Sequence, residues 1–174
     1  MTTVRRVCSW CKKSLGTVEG DFDPRFPITH SICPDCSRRA AAEMGLKTIQ
    51  EFLDDLGVPV LMMDDDARVL AASRRAQDVL GKDLPQLVGE KGGDVIECVA
   101  AKLPGGCGKS LHCRACAIRN SVTKTYQTGE PCLRVPAYPD VQIGDEVRTL
   151  SLLITTEKVG ACVLLRIDDI REEG

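Results

Sequence analysis

The sequence predicts an α+β fold carrying one antiparallel sheet, preceded by a small cysteine-rich module. Three observations support this. Two short apolar runs, residues 58–63 and 68–72, flank the acidic triplet Asp64-Asp65-Asp66 and read as paired strands. Helical patterns fill the middle of the chain, and three apolar segments close it, the last two rich in Val, Leu, Ile and Thr, which is the element order of an α+β domain. Ten cysteines stand beside only two histidines, and four of the ten fall in the first 40 residues.

Composition narrows the classes. The chain has 174 residues, 23 basic and 25 acidic, for a net charge of −2, which excludes a globally basic nucleic-acid coat. With 43% hydrophobic and 28% charged residues it is not disordered throughout. No apolar run approaches the roughly 18 residues of a membrane span, and no leader-like apolar stretch opens the chain. The expectation is a soluble, cytoplasmic protein. In a reducing compartment clustered cysteines bind metal or do redox work rather than form structural disulfides.

The elements are expected in this order. Residues 1–42 form the cysteine module, with 7 basic and 4 acidic residues. A linker helix over 40–56, the core of a linker at 43–57, follows from Ile49, Phe52, Leu53 and Leu56 on one apolar face, and Gly57 and Pro59 end it. The domain over 58–171 begins with the two strands. Ser73 caps a helix over 74–80 that Gly81 closes. A loop-rich stretch leads to a second helix at 114–127, stopped by Gly129 and Pro131. Strands at 132–137, 147–156 and 159–167 complete the sheet, the last two joined by a turn at Glu157-Lys158.

Cys8-x₂-Cys11 and Cys33-x₂-Cys36 are two thiolate pairs separated by 21 residues. Each CxxC turn presents two sulfurs on one side, and two such turns complete a tetrahedral Zn²⁺ site. A segment this small has too little apolar core to fold alone, so metal binding supplies the missing free energy. A redox pair at Cys33/Cys36 would leave Cys8/Cys11 unexplained, and His30 could substitute as a ligand but four cysteines already suffice. Arg38-Arg39 reads as a solvated helix face rather than a nucleic-acid contact. The runs Val7-Cys-Ser-Trp-Cys-Lys-Lys13 and Thr29-His-Ser-Ile-Cys-Pro-Asp-Cys36 resemble the zinc-ribbon-like modules attached to bacterial sensor proteins.

From Gly57 to Ile170 the chain resembles a PAS domain. The carrying residues are Leu56-Gly-Val-Pro-Val-Leu-Met-Met-Asp64, Ala67-Arg-Val-Leu-Ala-Ala-Ser73, Ala76-Gln-Asp-Val-Leu-Gly81 and Val163-Leu-Leu-Arg-Ile-Asp-Asp-Ile170. Many PAS domains carry Asn where Ser73 stands. The resemblance implies a five-stranded antiparallel sheet with helices over one face, a ligand cavity, and sensing through protein–protein contacts rather than catalysis.

A second constellation, Cys98-x₈-Cys107-x₅-Cys113-x₂-Cys116, falls where PAS helices cover that cavity. It resembles a cysteine-bearing PAS subgroup of bacteria, in which a CG-x₃-HC-x₂-C-x-IR run precedes the long helix. These four are the candidate cofactor-binding residues. They fit an Fe–S cluster, a structural Zn²⁺, or a reversible Cys113/Cys116 disulfide, and the spacing leaves all three open. His112 reads as a loop residue. Cys132 and Cys162 sit in apolar strand patterns and read as packing residues.

Other signals fail on inspection. Gly108-Lys109-Ser110 lacks the earlier glycine of a phosphate loop, with Leu103 in its place. The zinc deaminase signature fails at His112-Cys113-Arg114. No phosphoacceptor histidine or ATP motif is present. The sequence therefore reads as a non-enzymatic, cytoplasmic sensor of bacterial type. It is expected to respond to redox state, metal or a small ligand, to form a homodimer, and to signal to a separate output protein such as a histidine kinase or transcription regulator. The competing readings are a thiol–disulfide oxidoreductase using a CxxC pair and a zinc-dependent nucleic-acid adaptor.

Overall fold

The computed structural model describes residues 2–45 and 48–172. The chain divides into two compact units, Met1–Thr48 and Ile49–Gly174, each with its own core.

In the first unit, strands β1 (Thr2–Cys8), β2 (Ser14–Gly20) and β3 (Ile28–Ser31) form a sheet of order β2-β1-β3. β1 pairs antiparallel with β2 and parallel with β3. Helix α1 (Pro34–Glu43) follows with Cys33 as its N-cap and Pro34 in its first turn, where a missing N–H costs nothing. The second CxxC pair therefore stands at a helix start, whereas the first spans the last residue of β1 and the turn after it. The expected continuous helix over 40–56 is not formed. α1 stops at Glu43, and Gly45 takes a left-handed φ of +68° just beyond it. Leu46 and Lys47, which also fell within that expected helix, lie outside the described residues. Helix α2 (Ile49–Asp55) opens the second unit. Of its expected apolar face only Leu53 is buried, while Ile49, Phe52 and Leu56 are exposed.

The second unit is α+β, with one antiparallel sheet and helices packed on it. Strands β4 (Val60–Met63) and β5 (Val69–Ala72) lead into α3 (Arg74–Leu80), capped by Ser73 and closed by Gly81 in the left-handed conformation. The stretch expected as loop holds three single-turn helices, α4 (Leu84–Leu87), α5 (Gly92–Val95) and α6 (Leu111–Arg114), and a 3-10 turn at Val99–Lys102. Helix α7 (Ala117–Thr128) starts three residues later than the apolar pattern implied, because α6 and the turn at Ala115 interrupt it. Strands β6 (Cys132–Ala137), β7 (Asp140–Ile143), β8 (Glu146–Val159) and β9 (Cys162–Glu172) follow.

The sheet order is β5-β4-β9-β8-β6, the five antiparallel strands that the PAS resemblance implied. β7 is an addition that pairs with the first half of β8, which β6 leaves free. The β8–β9 turn is at Gly160-Ala161, not at Glu157-Lys158. Both of those residues are inside β8, paired with Leu164 and Val163. Gly160, at φ +59°, supplies the conformation that a two-residue hairpin needs and that Glu157 and Lys158 resist.

One face of the sheet forms the core. Leu61, Met63, Leu152, Ile154, Val163 and Leu165 point into it, and Ala76, Leu87, Val95, Ile118 and Val122 close it from the helices. In α7 the buried residues are Ile118, Ser121, Val122 and Thr125, spaced as one helical stripe. Each buried Ile or Val here contributes roughly 1.5–3 kcal/mol. Ser73, fully buried, ties the opening of this unit together. Its hydroxyl donates to the Val58 carbonyl at 3.0 Å and accepts from Val60 N–H at 3.0 Å and Ala76 N–H at 3.2 Å.

Candidate metal centre and thiol pocket

The front centre is built by the turn after β1 and the start of α1. The turn closes with Lys12 N–H on the Cys8 carbonyl at 3.1 Å and Cys8 N–H on the Lys13 carbonyl at 2.9 Å. Ser9 N–H donates to the Ser31 carbonyl at 2.7 Å and docks the turn against the end of β3. As a result the sulfurs of Cys8, Cys11, Cys33 and Cys36 lie within 4.8 Å of one another, a set able to hold a metal ion. Cys11 and Cys33 are 3.7 Å apart. Four thiolates at about 2.3 Å from a tetrahedral Zn²⁺ define edges of about 3.8 Å, so the observed spacing fits such an ion.

The surroundings fit it too. Cys33 N–H donates to Cys8 Sγ and Cys36 N–H to Cys33 Sγ, each at 3.4 Å. The N–H of Cys33, with those of Cys11 and Trp10, draws the Cys8 thiol down to about 6 against the opposing effect of burial. Cys36 moves the other way, to about 12, through its hydrogen bond to Cys33, its burial and the neighbouring sulfurs. Four sulfurs this close cannot all ionise unless a cation stands among them. Cys8, Cys33 and Cys36, with Leu15 against them, are a core cluster of this unit, so the ligand set occupies a place that apolar side chains fill in larger domains.

The four central cysteines are arranged differently. Cys98, Cys107, Cys113 and Cys116 all line one pocket of about 540 Å³, together with His112 and Arg119. Their sulfurs are not gathered as the front four are: among the described residues, the front tetrad is the group of at least three Cys, His, Asp or Glu ligand atoms within 4.8 Å. His112 is in α6, not in a loop.

Each pocket cysteine is held by a different element. Cys98 follows α5, with its N–H on the Gly93 carbonyl at 2.8 Å and a bridge to Val141 of β7. Cys107 packs over α5, and a Cβ at Gly93 would come within 2.8 Å of its sulfur. Burial raises the Cys107 thiol, and the Gly93 backbone offsets this only in part. Cys113, buried in α6, accepts from Gly108 N–H at 3.2 Å and is 3.3 Å from the Ser110 hydroxyl. Burial pushes its thiol up, but the Ser110 and Gly108 hydrogen bonds outweigh that and the net shift is down. Cys116 is the N-cap of α7.

The sequence patterns missed the charged frame behind this pocket. Asp66, from the β4–β5 turn, pairs with Lys91 at 2.8 Å and Arg119 at 2.6 Å, and Lys91 also donates to the Cys107 carbonyl at 3.4 Å. These partners lie far apart in the chain, and no spacing rule links them. Cys132 and Cys162 are only half-buried, so neither belongs to the core proper.

No family model matches the chain, and no curated protein matches it. Solved structures do. A domain of a sensory box sensor histidine kinase/response regulator from Geobacter sulfurreducens is similar at a TM-score of 0.46 and 14% identity, over 75% of this chain and 94% of that one. The PAS domain of BvgS from Bordetella pertussis gives 0.42 and 14%, over 70% and 83%. The PAS domain of nitrogen regulation protein NR(II) from Vibrio parahaemolyticus gives 0.41 and 13%, over 70% and 94%. The strand pairing, not these scores, defines the α+β fold. No helix of the described residues is long and apolar enough to cross a membrane.

Proposed function

We propose that this chain is a PAS-like sensor protein that acts through binding rather than turnover. Its front cysteines hold a structural Zn²⁺, and its central cysteines respond to redox state. One observation carries the sensing reading: four thiols from separate elements line a single pocket beside α7, the helix that packs on the sheet. A chemical change at those thiols acts on the start of α7, and a shift of α7 moves the surface offered to a partner. Exposed Ile49, Phe52 and Leu56 provide an apolar surface for a second copy or for an output protein such as a histidine kinase or transcription regulator.

The front pairs favour a metal over a disulfide catalyst, because Cys33 and Cys36 share their site with Cys8 and Cys11. The loose spacing of the central sulfurs favours thiol chemistry over a second metal or Fe–S cluster. The test is elemental analysis of anaerobically purified protein, followed by hydrogen exchange in reduced and oxidised states. The expected result is one zinc per chain, no visible colour, and a reversible change in protection over α7 and β6. A second tightly bound metal, a brown protein, or identical exchange in both states overturns the reading.

A further inference from the structure

The pocket thiols differ in what they touch, and the difference assigns them roles. Cys113 is the one whose sulfur meets both a backbone N–H, from Gly108, and a hydroxyl, from Ser110. Donors aimed at sulfur favour the thiolate, the form that attacks electrophiles. The Arg119 guanidinium lies against the same loop, 2.7 Å from where a Cβ on Gly108 would stand, and adds positive charge there. Gly108 N is bonded directly to the Cys107 carbonyl carbon, so the contact that activates Cys113 also brings residue 107 to its side. Cys107 itself packs against Gly93 and Ala101.

We propose that Cys113 is the thiol of this pocket that reacts with hydroperoxides, and that Cys107 then closes a disulfide on it. The assignment rests on the redox reading above and names its oxidant class and its residues. In the first step the Cys113 sulfur attacks the terminal peroxide oxygen. An S–O bond forms, the O–O bond breaks, and the alkoxide leaves and takes a proton to become an alcohol, or water when the oxidant is hydrogen peroxide. In the second step the Cys107 thiol gives up its proton and its sulfur attacks Cys113. An S–S bond forms, the S–O bond breaks, and water leaves. Two thiols lose two electrons in total, and one peroxide gains them.

A pocket of about 540 Å³ has room for so small an oxidant beside Cys107 and Cys113, and the loop that would carry the disulfide is tied to the rest of the unit. Lys91 holds the Cys107 carbonyl, and Arg119 joins the loop to Asp66. Drawing residues 107 and 113 together therefore acts on the first turn of α7, where Arg119 sits.

The test uses the full zinc-loaded chain and hydrogen peroxide, with alkylation of the remaining thiols and tryptic mapping. Cleavage after Lys91, Lys102, Lys109, Arg114 and Arg119 places the four cysteines in four separate peptides. The expected first product is a sulfenic acid on Cys113, trapped by a 1,3-dione, followed by a disulfide joining the Cys107 and Cys113 peptides. In Cys107→Ser the sulfenic acid persists. In Cys113→Ser oxidation of the pocket slows about tenfold or more. A first adduct on Cys98, Cys107 or Cys116 in the wild-type chain, or a disulfide that omits Cys107, overturns the assignment and leaves the redox reading standing. Four pocket thiols that stay reduced while the front zinc is retained overturn both.

Discussion

Arg119 of α7 donates to the carboxylate of Asp66 at 2.6 Å, across 53 residues of chain, and so fastens the longest helix of the second unit to the β4–β5 turn. Lys91 takes the other carboxylate oxygen at 2.8 Å. The hydrogen bond from Lys91, then that from Arg119, lowers the Asp66 carboxyl to about 2 against the opposing effect of burial.

A carboxyl whose folded-state pKa lies below its unfolded value of about 3.9 stabilises the fold above that value. The contribution is lost as pH falls from about 4 through about 2. Asp66→Asn is expected to be less stable than wild type at neutral pH and to converge with it over that window. Because the carboxylate is 44% exposed, solvent screening keeps the difference near about 1 kcal/mol. Urea unfolding of both proteins at several pH values, followed through Tyr126 and Tyr138 of the second unit, checks the sign.

If the front sulfurs hold a metal as proposed, its removal is expected to unfold the first unit alone, because sulfurs occupy its core. The single tryptophan, Trp10, lies between Cys8 and Cys11 and reports on that unit only. Addition of a strong chelator should shift Trp10 emission while the amide protection of β8 and β9 stays unchanged. Cys33→Ser should reproduce the shift without a chelator.

Ser73→Ala removes one buried hydroxyl and strands two N–H groups, those of Val60 and Ala76. The expected cost is about 2–3 kcal/mol, above that of an ordinary helix cap. Ser73→Asn, whose side-chain oxygen can also accept from a backbone N–H at a helix N-cap, should recover part of it. Thermal unfolding of the three proteins decides.

Thr125 and Thr156 meet at 2.7 Å in a fully buried contact, and Thr125 donates to the Glu130 carbonyl at 2.9 Å. Thr125→Val removes the bond to Thr156 and the donor to the Glu130 carbonyl, leaves the Thr156 hydroxyl only its longer bond to the Ser121 carbonyl at 3.5 Å, and should cost about 1–3 kcal/mol. The double variant with Thr156→Val should cost less than the sum of the two singles, since each has already broken the shared bond. A double-mutant cycle by denaturant unfolding measures the coupling.

Gly93→Ala places a methyl 2.8 Å from the Cys107 sulfur and 3.1 Å from the Ala101 Cβ. The sulfur must leave α5, so Cys107 is expected to alkylate faster than in wild type while Cys8 and Cys33 do not change. Timed labelling with peptide mapping reads both.

Much of the fold was legible because local chemistry writes it. Ser73 and Gly81 bound α3 where their capping preferences place them, and Cys132–Ala137 is a strand over the apolar span that follows Gly129 and Pro131. The two CxxC pairs mark by their spacing alone the four sulfurs that converge in the first unit. What failed locally failed for identifiable reasons. Gly160 outcompeted Glu157-Lys158 for the hairpin turn, Gly45 ended α1 inside an apolar pattern, and β7 became a strand only because the long β8 left half its edge unpaired.

The sequence by itself determined the two opening strands, helix α3 and the closing strands of the second unit, and which eight cysteines belong to two constellations. Only the tertiary structure decided that the front four sulfurs converge while the central four spread around a pocket. It also decided that Asp66, Lys91 and Arg119 stand behind that pocket. Spacing along the chain dictates what a single turn presents, but the distance between sulfurs on different elements is fixed by how a packed core brings those elements together.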